Sequence, residues 1–251
     1  MYPVLWETPY FTIYAYGLMI SLGILVSSLL VLREAPKQGY HPDHILEAII
    51  IIGISGLLGS RALFVILNWS YYQDDPIRIL HFRSGGLSFY GAVILAIISL
   101  VLWSRWRKVH FLKLTDFLAP YLLLGYAFGR VGCYLNGCCY GKATAFFEGF
   151  PLTENLLRHP VQLYASAGAL ILFFAVLFLR RYKYFDGYNF TLVLLAYGLL
   201  RFITGFYRED VIIWVGLSFA QIFSAGLAIV MAFILWFKKR RKIEGSRIKV
   251  E

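Results

Sequence analysis

The sequence predicts an all-α polytopic membrane protein with about seven transmembrane helices and a small periplasmic head. Of its 251 residues, 59% are hydrophobic and only 15% are charged, and the mean hydropathy is +0.67. Soluble domains carry about 25% charged residues. The composition therefore excludes a soluble domain and indicates one integral membrane domain over residues 1–251.

Seven apolar runs are each long enough, or nearly so, to cross a bilayer as a helix, which needs roughly 20 residues. They cover residues 11–32, 46–68, 86–103, 116–135, 161–179, 189–206 and 213–237. The third run is the shortest and opens with Gly85-Gly86, which is consistent with a break in the helix or a re-entrant start. Glycines in the second run (GISGLLGS, 53–60) indicate close packing between helices.

Lysine and arginine residues predict the orientation of the chain. Sixteen of the 24 lie in the stretches 33–45, 104–115 and 180–188 and in the tail after residue 237, whereas five lie in the alternate loops. Cytoplasmic loops are enriched in these residues. We therefore expect the N-terminus outside and the C-terminus in the cytoplasm. The basic tail 238–251 is interpreted as an anchor beside anionic lipid, and no nucleic acid is expected as a partner.

Three arginines lie within the predicted spans, namely Arg61, Arg130 and Arg201. A charge at the centre of a bilayer costs about 2.5–3.5 kcal/mol on insertion scales, so such a residue needs a partner. The partner is either a carboxylate or an anionic ligand such as a lipid phosphate, which a guanidinium group binds through two parallel hydrogen bonds. Asp116 and Glu47 lie near the cytoplasmic ends, so a phosphate is favoured for Arg130 and Arg201. For Arg61 both interpretations stay open.

Four polar, glycine-rich clusters interrupt the apolar runs near the outer ends of spans 1, 3, 4 and 6. They cover residues 14–17 (YAYG), 84–91 (SGGLSFYG), 129–141 (GRVGCYLNGCCYG) and 197–201 (YGLLR). Because they lie at one membrane depth, they indicate a shared cavity. Ordinary packing of glycine and tyrosine between helices is the alternative.

The three cysteines, Cys133, Cys138 and Cys139, lie in one of these clusters. They are too few for a disulfide scaffold. In an oxidising compartment, Cys133 is expected to pair with one of the other two, and a reactive thiol is the alternative. Their spacing is not that of a usual zinc site, so no metal is expected.

The stretch 129–141 resembles the signature Gly-Arg-x-Gly-Asn-Phe-x-Asn-Gly-Glu-x-x-Gly of bacterial prolipoprotein diacylglyceryl transferases. Six further segments resemble elements of that family in the same order. They are AYGLM (15–19), GSRALFVI (59–66), GGLSFYGAV (85–93), LTDFLAP (114–120), RHPVQLYA (158–165) and AYGLLRFITGFYRED (196–210).

This resemblance implies a seven-helix bundle in the bacterial cytoplasmic membrane, with the segment 136–160 in its periplasmic head. It implies transfer of the diacylglyceryl group of phosphatidylglycerol to the lipobox cysteine of a prolipoprotein signal peptide. A thioether forms, glycerol phosphate leaves, and no cofactor is needed. An enzyme with another acceptor and a non-catalytic protein that binds or transports lipid are the alternatives.

The resemblance also implies the site residues. Phosphatidylglycerol would contact Tyr16, Arg61, Arg130, Asn136 and Arg201, and the catalytic set would be Tyr90, Arg130, Tyr197 and Arg201.

Five positions differ from the family pattern: Tyr90 replaces His, Cys133 replaces Asn, and Cys138, Ala165 and Gly205 replace Glu. A phenol titrates near pH 10 and an imidazole near 6.5, so the group that deprotonates the acceptor thiol is left open.

Overall fold

A computed structural model describes residues 3–8, 11–81, 85–144 and 158–247. The chain divides into two compact units. The first unit consists of residues 1–29 and 115–251, and the second consists of residues 30–114. Most of the site residues predicted above lie in the first unit, whereas Arg61 and Tyr90 lie in the second.

Eight α-helices account for most of the described residues. They are α1 (Ala15–Glu34), α2 (Pro42–Leu67), α3 (Trp69–Tyr72), α4 (Phe89–Trp106), α5 (Phe111–Leu135), α6 (Val161–Leu179), α7 (Tyr188–Gly205) and α8 (Phe219–Arg247). All except the short α3 are long and apolar enough to cross a membrane. The prediction of an all-α membrane protein with seven spans is therefore confirmed.

Two β-hairpins were not predicted. Strand β1 (Val4–Glu7) pairs antiparallel with β2 (Thr12–Tyr14), and β3 (Ile212–Trp214) pairs with β4 (Leu217–Ser218). The second hairpin turns at Val215 and Gly216, which both have positive φ, as the tight two-residue turns of hairpins require. The first and last apolar runs therefore begin as short strands, and their helices start at Ala15 and Phe219.

Within the second unit, α2 packs closely against α4. A Cβ placed on Gly59 would overlap the carbonyl of Gly91, and one placed on Gly91 would overlap the carbonyl of Gly59. The predicted packing through small residues is confirmed at this crossing. At the other end of the pair, Arg107 binds the carboxylate of Glu47 with Nε and Nη2, at 2.9 and 2.8 Å.

Within the first unit, α7 packs against both α6 and α8. Helix α6 also meets α5, where the Ser166 hydroxyl donates to the carbonyl of Ala127. Helix α1 contacts α5 at Gly23, where a Cβ would lie 2.8 Å from the Cβ of Phe128. Large apolar side chains such as Ile171 and Phe223 point outward, as expected of helices surrounded by lipid.

The buried carboxylate of Asp116, near the start of α5, caps the N-terminus of α7. It accepts hydrogen bonds from the backbone N–H groups of Gly187 and Phe190 at 2.8 and 3.0 Å, and Lys183 lies 2.9 Å away. Burial of Lys183 opposes its charged form, but hydrogen bonds to Asp116 and Asp186 raise its pKa above the usual value. One acidic side chain thus satisfies both a helix end and a cation.

The described part of the predicted head is built from three short backbone segments. Gly141 N donates to the carbonyl of His159, and Lys142 N donates to the carbonyl of Tyr207. A Cβ on Gly141 would overlap that same Tyr207 carbonyl, so the close approach requires glycine here. Residues 145–157 of the predicted segment 136–160 lie outside the described residues.

Candidate active site

The signature stretch folds back on itself at the C-terminal end of α5. Gly137 has a φ of +76°, its N–H bonds the carbonyl of Tyr134, and the N–H of Cys138 bonds the carbonyl of Cys133. This pair of bonds around a left-handed glycine is the Schellman motif that ends many helices. Because the chain reverses at Gly137, Cys138 returns to the last turn of the helix. The glycine of the signature therefore brings together cysteines that are five residues apart.

The three cysteine sulfur atoms form one cluster, in which all Sγ atoms lie within 4.8 Å of one another. The Sγ atoms of Cys138 and Cys139 are 3.3 Å apart, and Gln162 of α6 donates to the Cys138 carbonyl. Hydrogen bonding with Cys133 lowers the pKa of Cys139 to about 5, and burial raises the pKa of Cys138. All three thiols are free in the structure, and the disulfide stays a prediction.

Matching tyrosine–arginine pairs lie on α5 and α7. The Arg130 Nε donates to the hydroxyl of Tyr126 at 2.9 Å, and the Tyr126 ring meets the Tyr197 ring edge-on at 5.4 Å. Tyr197 precedes Arg201 by four residues, as Tyr126 precedes Arg130. Helices α5, α6 and α7 are successive spans and cross the membrane in alternating directions, so α5 and α7 run in the same direction. Both arginines therefore lie one turn beyond the tyrosine contact, toward the same end of the bundle.

Arg201 has a carboxylate partner, which corrects the expectation that both Arg130 and Arg201 lack one. Its Nη2 lies 3.1 Å from Asp210 Oδ2, and the other oxygen of Asp210 accepts from Arg208 Nε at 3.2 Å. The chain turns after α7, where Arg208 N bonds the carbonyl of Gly205, and so returns Asp210 to the helix. The Nη1 atom of Arg201 is buried and has no hydrogen-bond partner among the described residues.

Two further predicted residues lie near the C-terminal end of α5: Tyr16, in the first turn of α1, and Asn136, which directly follows α5. Tyr16 packs on Gly132, where a Cβ would lie 3.2 Å from the tyrosine Cδ2, and Gly132 directly precedes Cys133. Asn136 is exposed, and its backbone N–H donates to the carbonyl of Gly132 at 2.9 Å. The first unit thus brings together Tyr16, Arg130 and Asn136 with the three cysteines.

Arg61, in the second unit, is buried and holds a loop in place. Its five N–H groups donate to five backbone carbonyls at 2.7–3.2 Å. These carbonyls belong to Arg78, Ile79, His81, Gly85 and Gly86. A guanidinium group has five such donors, so the structural interpretation is favoured over binding of a lipid phosphate. Contact between Arg61 and phosphatidylglycerol stays a prediction without support from these bonds.

Tyr90 lies in the first turn of α4 with 70% of its surface exposed, beside the ring of Phe89. It belongs to the second unit, and its catalytic role stays a prediction. Two other changed positions lie in the first unit and are tightly packed. Ala165 is buried, and a Cβ on Gly205 would overlap the Cγ of Gln221.

Four residues of this site were not predicted from the sequence: Tyr126, Gln162, Arg208 and Asp210. Tyr126 could have been found, because the spacing Tyr-x-x-x-Arg occurs in both the fourth and the sixth apolar run. Asp210 was overlooked because it lies beyond the end of α7, outside the span in which a partner was sought.

These features define a class of protein: a multi-pass membrane protein with an arginine-containing polar site at one end of its helices. The family model for prolipoprotein diacylglyceryl transferase matches residues 3–237. A relative from Clostridium tetani (strain Massachusetts / E88) is 38% identical over 84% of this chain and 86% of its own length. One from Halalkalibacterium halodurans is 33% identical over 92% and 84%. Both are named phosphatidylglycerol–prolipoprotein diacylglyceryl transferase.

The chain therefore belongs to the prolipoprotein diacylglyceryl transferase family. A further relative from Clostridium perfringens (strain 13 / Type A), named phosphatidylglycerol–prolipoprotein diacylglyceryl transferase 2, is 33% identical over 79% of this chain and 80% of its own length. The resemblance inferred from seven segments is thus confirmed across nearly the whole chain.

Proposed function

We propose that the protein transfers the diacylglyceryl group of phosphatidylglycerol to the lipobox cysteine of prolipoproteins in the bacterial cytoplasmic membrane. The sulfur of the acceptor attacks the glyceryl carbon that carries the phosphate. A C–S bond forms, the C–O bond to the phosphate breaks, and glycerol phosphate leaves. The family membership supports the reaction, and the arginine site supports the donor.

The buried Nη1 of Arg201 is the observation that carries the proposal within this chain. A buried donor without an acceptor costs roughly 1–3 kcal/mol, and more when it is charged. Asp210 accepts the hydrogen bond of Nη2, so a ligand that contacts Nη1 would have to supply the acceptor for that nitrogen. A phosphate oxygen of the lipid headgroup would provide it. Arg130 has only its Nε bonded to a described side chain, so its other nitrogen atoms can contact the same phosphate.

Both arginines would act on the leaving group. Phosphate carries more negative charge as the C–O bond breaks, and donors fixed in advance stabilise that charge most effectively. Asp210 fixes the Arg201 guanidinium, and Tyr126 fixes that of Arg130. Removing either arginine should therefore lower both binding of phosphatidylglycerol and the rate of transfer.

The test uses the purified full-length protein in detergent micelles that contain phosphatidylglycerol and a fluorescent lipobox peptide. We expect the peptide to gain the mass of one diacylglyceryl group, and Arg130→Ala and Arg201→Ala to lower the initial rate at least about a hundredfold. Arg105→Ala, which removes an exposed arginine at the end of α4, is the matched control and should keep the wild-type rate. Equal rates for all four proteins would overturn the role of the arginines.

A different acceptor is the second candidate, and the changed positions Tyr90, Cys133 and Cys138 favour it. It predicts that phosphatidylglycerol is consumed only when a molecule other than the lipobox peptide is present. Screening acceptors with labelled phosphatidylglycerol separates the two functions. Binding of the lipid without turnover with any acceptor would instead indicate a non-catalytic lipid-binding protein.

A further inference from the structure

We propose that Cys133, Cys138 and Cys139 together bind one Zn²⁺ ion, and that the fourth coordination position of this ion receives the acceptor thiol. The second half of this inference rests on the proposed function, whereas the first half does not. The spacing of the cysteines in the sequence is unlike that of usual zinc sites, so no metal was predicted. The turn at Gly137 makes that spacing irrelevant, because it places the three sulfur atoms together.

The dimensions of the cluster fit a zinc ion. At a Zn–S distance of about 2.3 Å, tetrahedral geometry places the ligand sulfur atoms about 3.8 Å apart. The separations in the cluster bracket this value, since the Sγ atoms of Cys138 and Cys139 are 3.3 Å apart and no pair of the three sulfur atoms is more than 4.8 Å apart. Shifts of a few tenths of an ångström at side-chain torsions would complete the geometry. Soft thiolate ligands select zinc over hard cations such as Mg²⁺ or Ca²⁺.

The surroundings of the cluster match the charge of such a site. Three thiolates around Zn²⁺ carry one net negative charge, which needs compensation at the edge of a membrane. Arg130 precedes Cys133 by three residues in α5, so the two side chains are neighbours on the helix surface and the guanidinium group can offset this charge. The backbone of the turn is also held from outside, because Gln162 donates to the Cys138 carbonyl. The backbone that carries Cys138 is therefore held in place before the ion binds.

The number of ligands indicates a reactive site rather than a closed structural one. Among the described residues, no histidine, aspartate or glutamate joins the three cysteines. Structural zinc sites have four protein ligands, whereas catalytic sites have three and leave one position for water or substrate. A fourth ligand must therefore come from outside this cluster.

An acceptor thiol at that position would solve the problem created by Tyr90 and Cys138, which occupy positions where the family has histidine and glutamate. A thiol that coordinates zinc loses its proton, which here passes to water. The bound thiolate then attacks the glyceryl carbon of phosphatidylglycerol and forms the C–S bond. The C–O bond to phosphate breaks, and its electron pair leaves with glycerol phosphate. Zinc undergoes no redox change, and no further reactant is required.

The first measurement is the zinc content of the full-length protein, purified in detergent without chelators and dialysed against metal-free buffer. We expect about one zinc ion per chain, and less than about a tenth of that in the variant with Cys133, Cys138 and Cys139 all changed to serine. Ser104→Ala is the control, since this hydroxyl lies in α4 and bonds the carbonyl of Val101. Equal zinc in the triple variant, or a disulfide between these cysteines without zinc, would overturn the site.

A second variant keeps all three thiols and guards against misfolding of the triple variant. Gly137→Ala strains the turn that gathers the sulfur atoms and should weaken zinc binding at least about tenfold. Gly39→Ala creates the same strain, because Gly39 has a φ of +77° and no neighbour within 4 Å of an added Cβ. It should leave zinc binding unchanged. Equal losses in both variants would contradict the proposal.

The fourth position is tested with cobalt in place of zinc. Adding the lipobox peptide should change the thiolate-to-cobalt absorption bands, and the peptide with serine in place of its cysteine should not. Unchanged bands with both peptides would overturn the open position. If the protein binds zinc and the lipobox peptide changes the cobalt bands, but no product forms, the proposed function is contradicted and the metal site stands. Product formed at the full rate by zinc-free protein would overturn the role of zinc in the reaction, while the proposed function and the zinc-binding site would both stand.

Discussion

At the scale of single residues, each arginine within the spans has a defined environment. Arg61 donates its hydrogen bonds to backbone carbonyls, and Arg130 donates one from Nε to the hydroxyl of Tyr126. Arg201 donates one from Nη2 to the carboxylate of Asp210. The sequence identified all three as anomalies, because a charge in an apolar run is visible without a structure. It could not identify their partners, which depend on how loops return to the helix ends.

Tyr126 is predicted to position Arg130 rather than to touch the substrate. Tyr126→Phe removes the hydroxyl that accepts from Arg130 Nε but keeps the ring that meets Tyr197. A hydrogen bond to a charged group is worth about 1.5–3 kcal/mol, so kcat/KM for phosphatidylglycerol should fall about tenfold or more. Steady-state kinetics with varied concentrations of phosphatidylglycerol would measure this fall. We expect most of the change to be an increase in KM.

The control for this substitution is Tyr182→Phe, which changes an exposed tyrosine just beyond α6. It should keep the wild-type kinetics. A loss of thermal stability in Tyr126→Phe that accounts for the lost activity would argue against a positioning role.

At the scale of helices, the sequence predicts most of the spans because their length and hydropathy are set locally. The β-hairpins escaped prediction because their strands contain only two to four residues and lie inside or beside apolar runs. The cysteine cluster escaped it for a different reason. Its cause is a turn in which Gly137 and Cys139 both have a left-handed backbone, and the effect of such a turn on neighbouring side chains is not visible in a spacing rule.

Asp116 is predicted to be the main polar connection between α5 and the start of α7. Asp116→Ala would remove the acceptor of two N–H groups at the start of α7 and leave Lys183 paired with Asp186 alone. A hydrogen bond to a charged group is worth about 1.5–3 kcal/mol, so we expect the free energy of unfolding to fall by at least that amount. Equilibrium unfolding in mixed detergent micelles would measure this loss. Asp43→Ala, at an exposed carboxylate in the first turn of α2, should cost at most about 1 kcal/mol. Equal losses would refute the capping role.

The crossing of α2 and α4 gives a matched pair of glycine substitutions. Gly59→Ala should destabilise the protein by about 1–3 kcal/mol, because the added methyl group overlaps the Gly91 carbonyl. Gly53→Ala, in the same helix with nothing within 4 Å of its Cβ, should be neutral or stabilising by up to about 1 kcal/mol. Thermal unfolding of the two variants in detergent compares them directly. If Gly53→Ala also destabilises the protein, the contact between α2 and α4 does not by itself explain the loss of stability in Gly59→Ala.

At the scale of the whole molecule, family membership and span number are settled by agreement between the sequence, the fold and the relatives. The orientation of the termini stays a prediction from the distribution of lysine and arginine. Green fluorescent protein fused after Glu251 should fluoresce, and alkaline phosphatase fused there should be inactive. The opposite pattern would place the C-terminus outside and contradict the predicted orientation.

The central claim is that this chain forms a thioether between a prolipoprotein cysteine and a diacylglyceryl group. The most direct measurement incubates the purified protein with phosphatidylglycerol of defined acyl chains and a lipobox peptide, then analyses both products by mass spectrometry. The account predicts a diacylglyceryl group on the peptide cysteine, one glycerol phosphate released for each modified peptide, and no modification when serine replaces that cysteine. An unmodified peptide in the presence of properly folded protein and bound phosphatidylglycerol would contradict it.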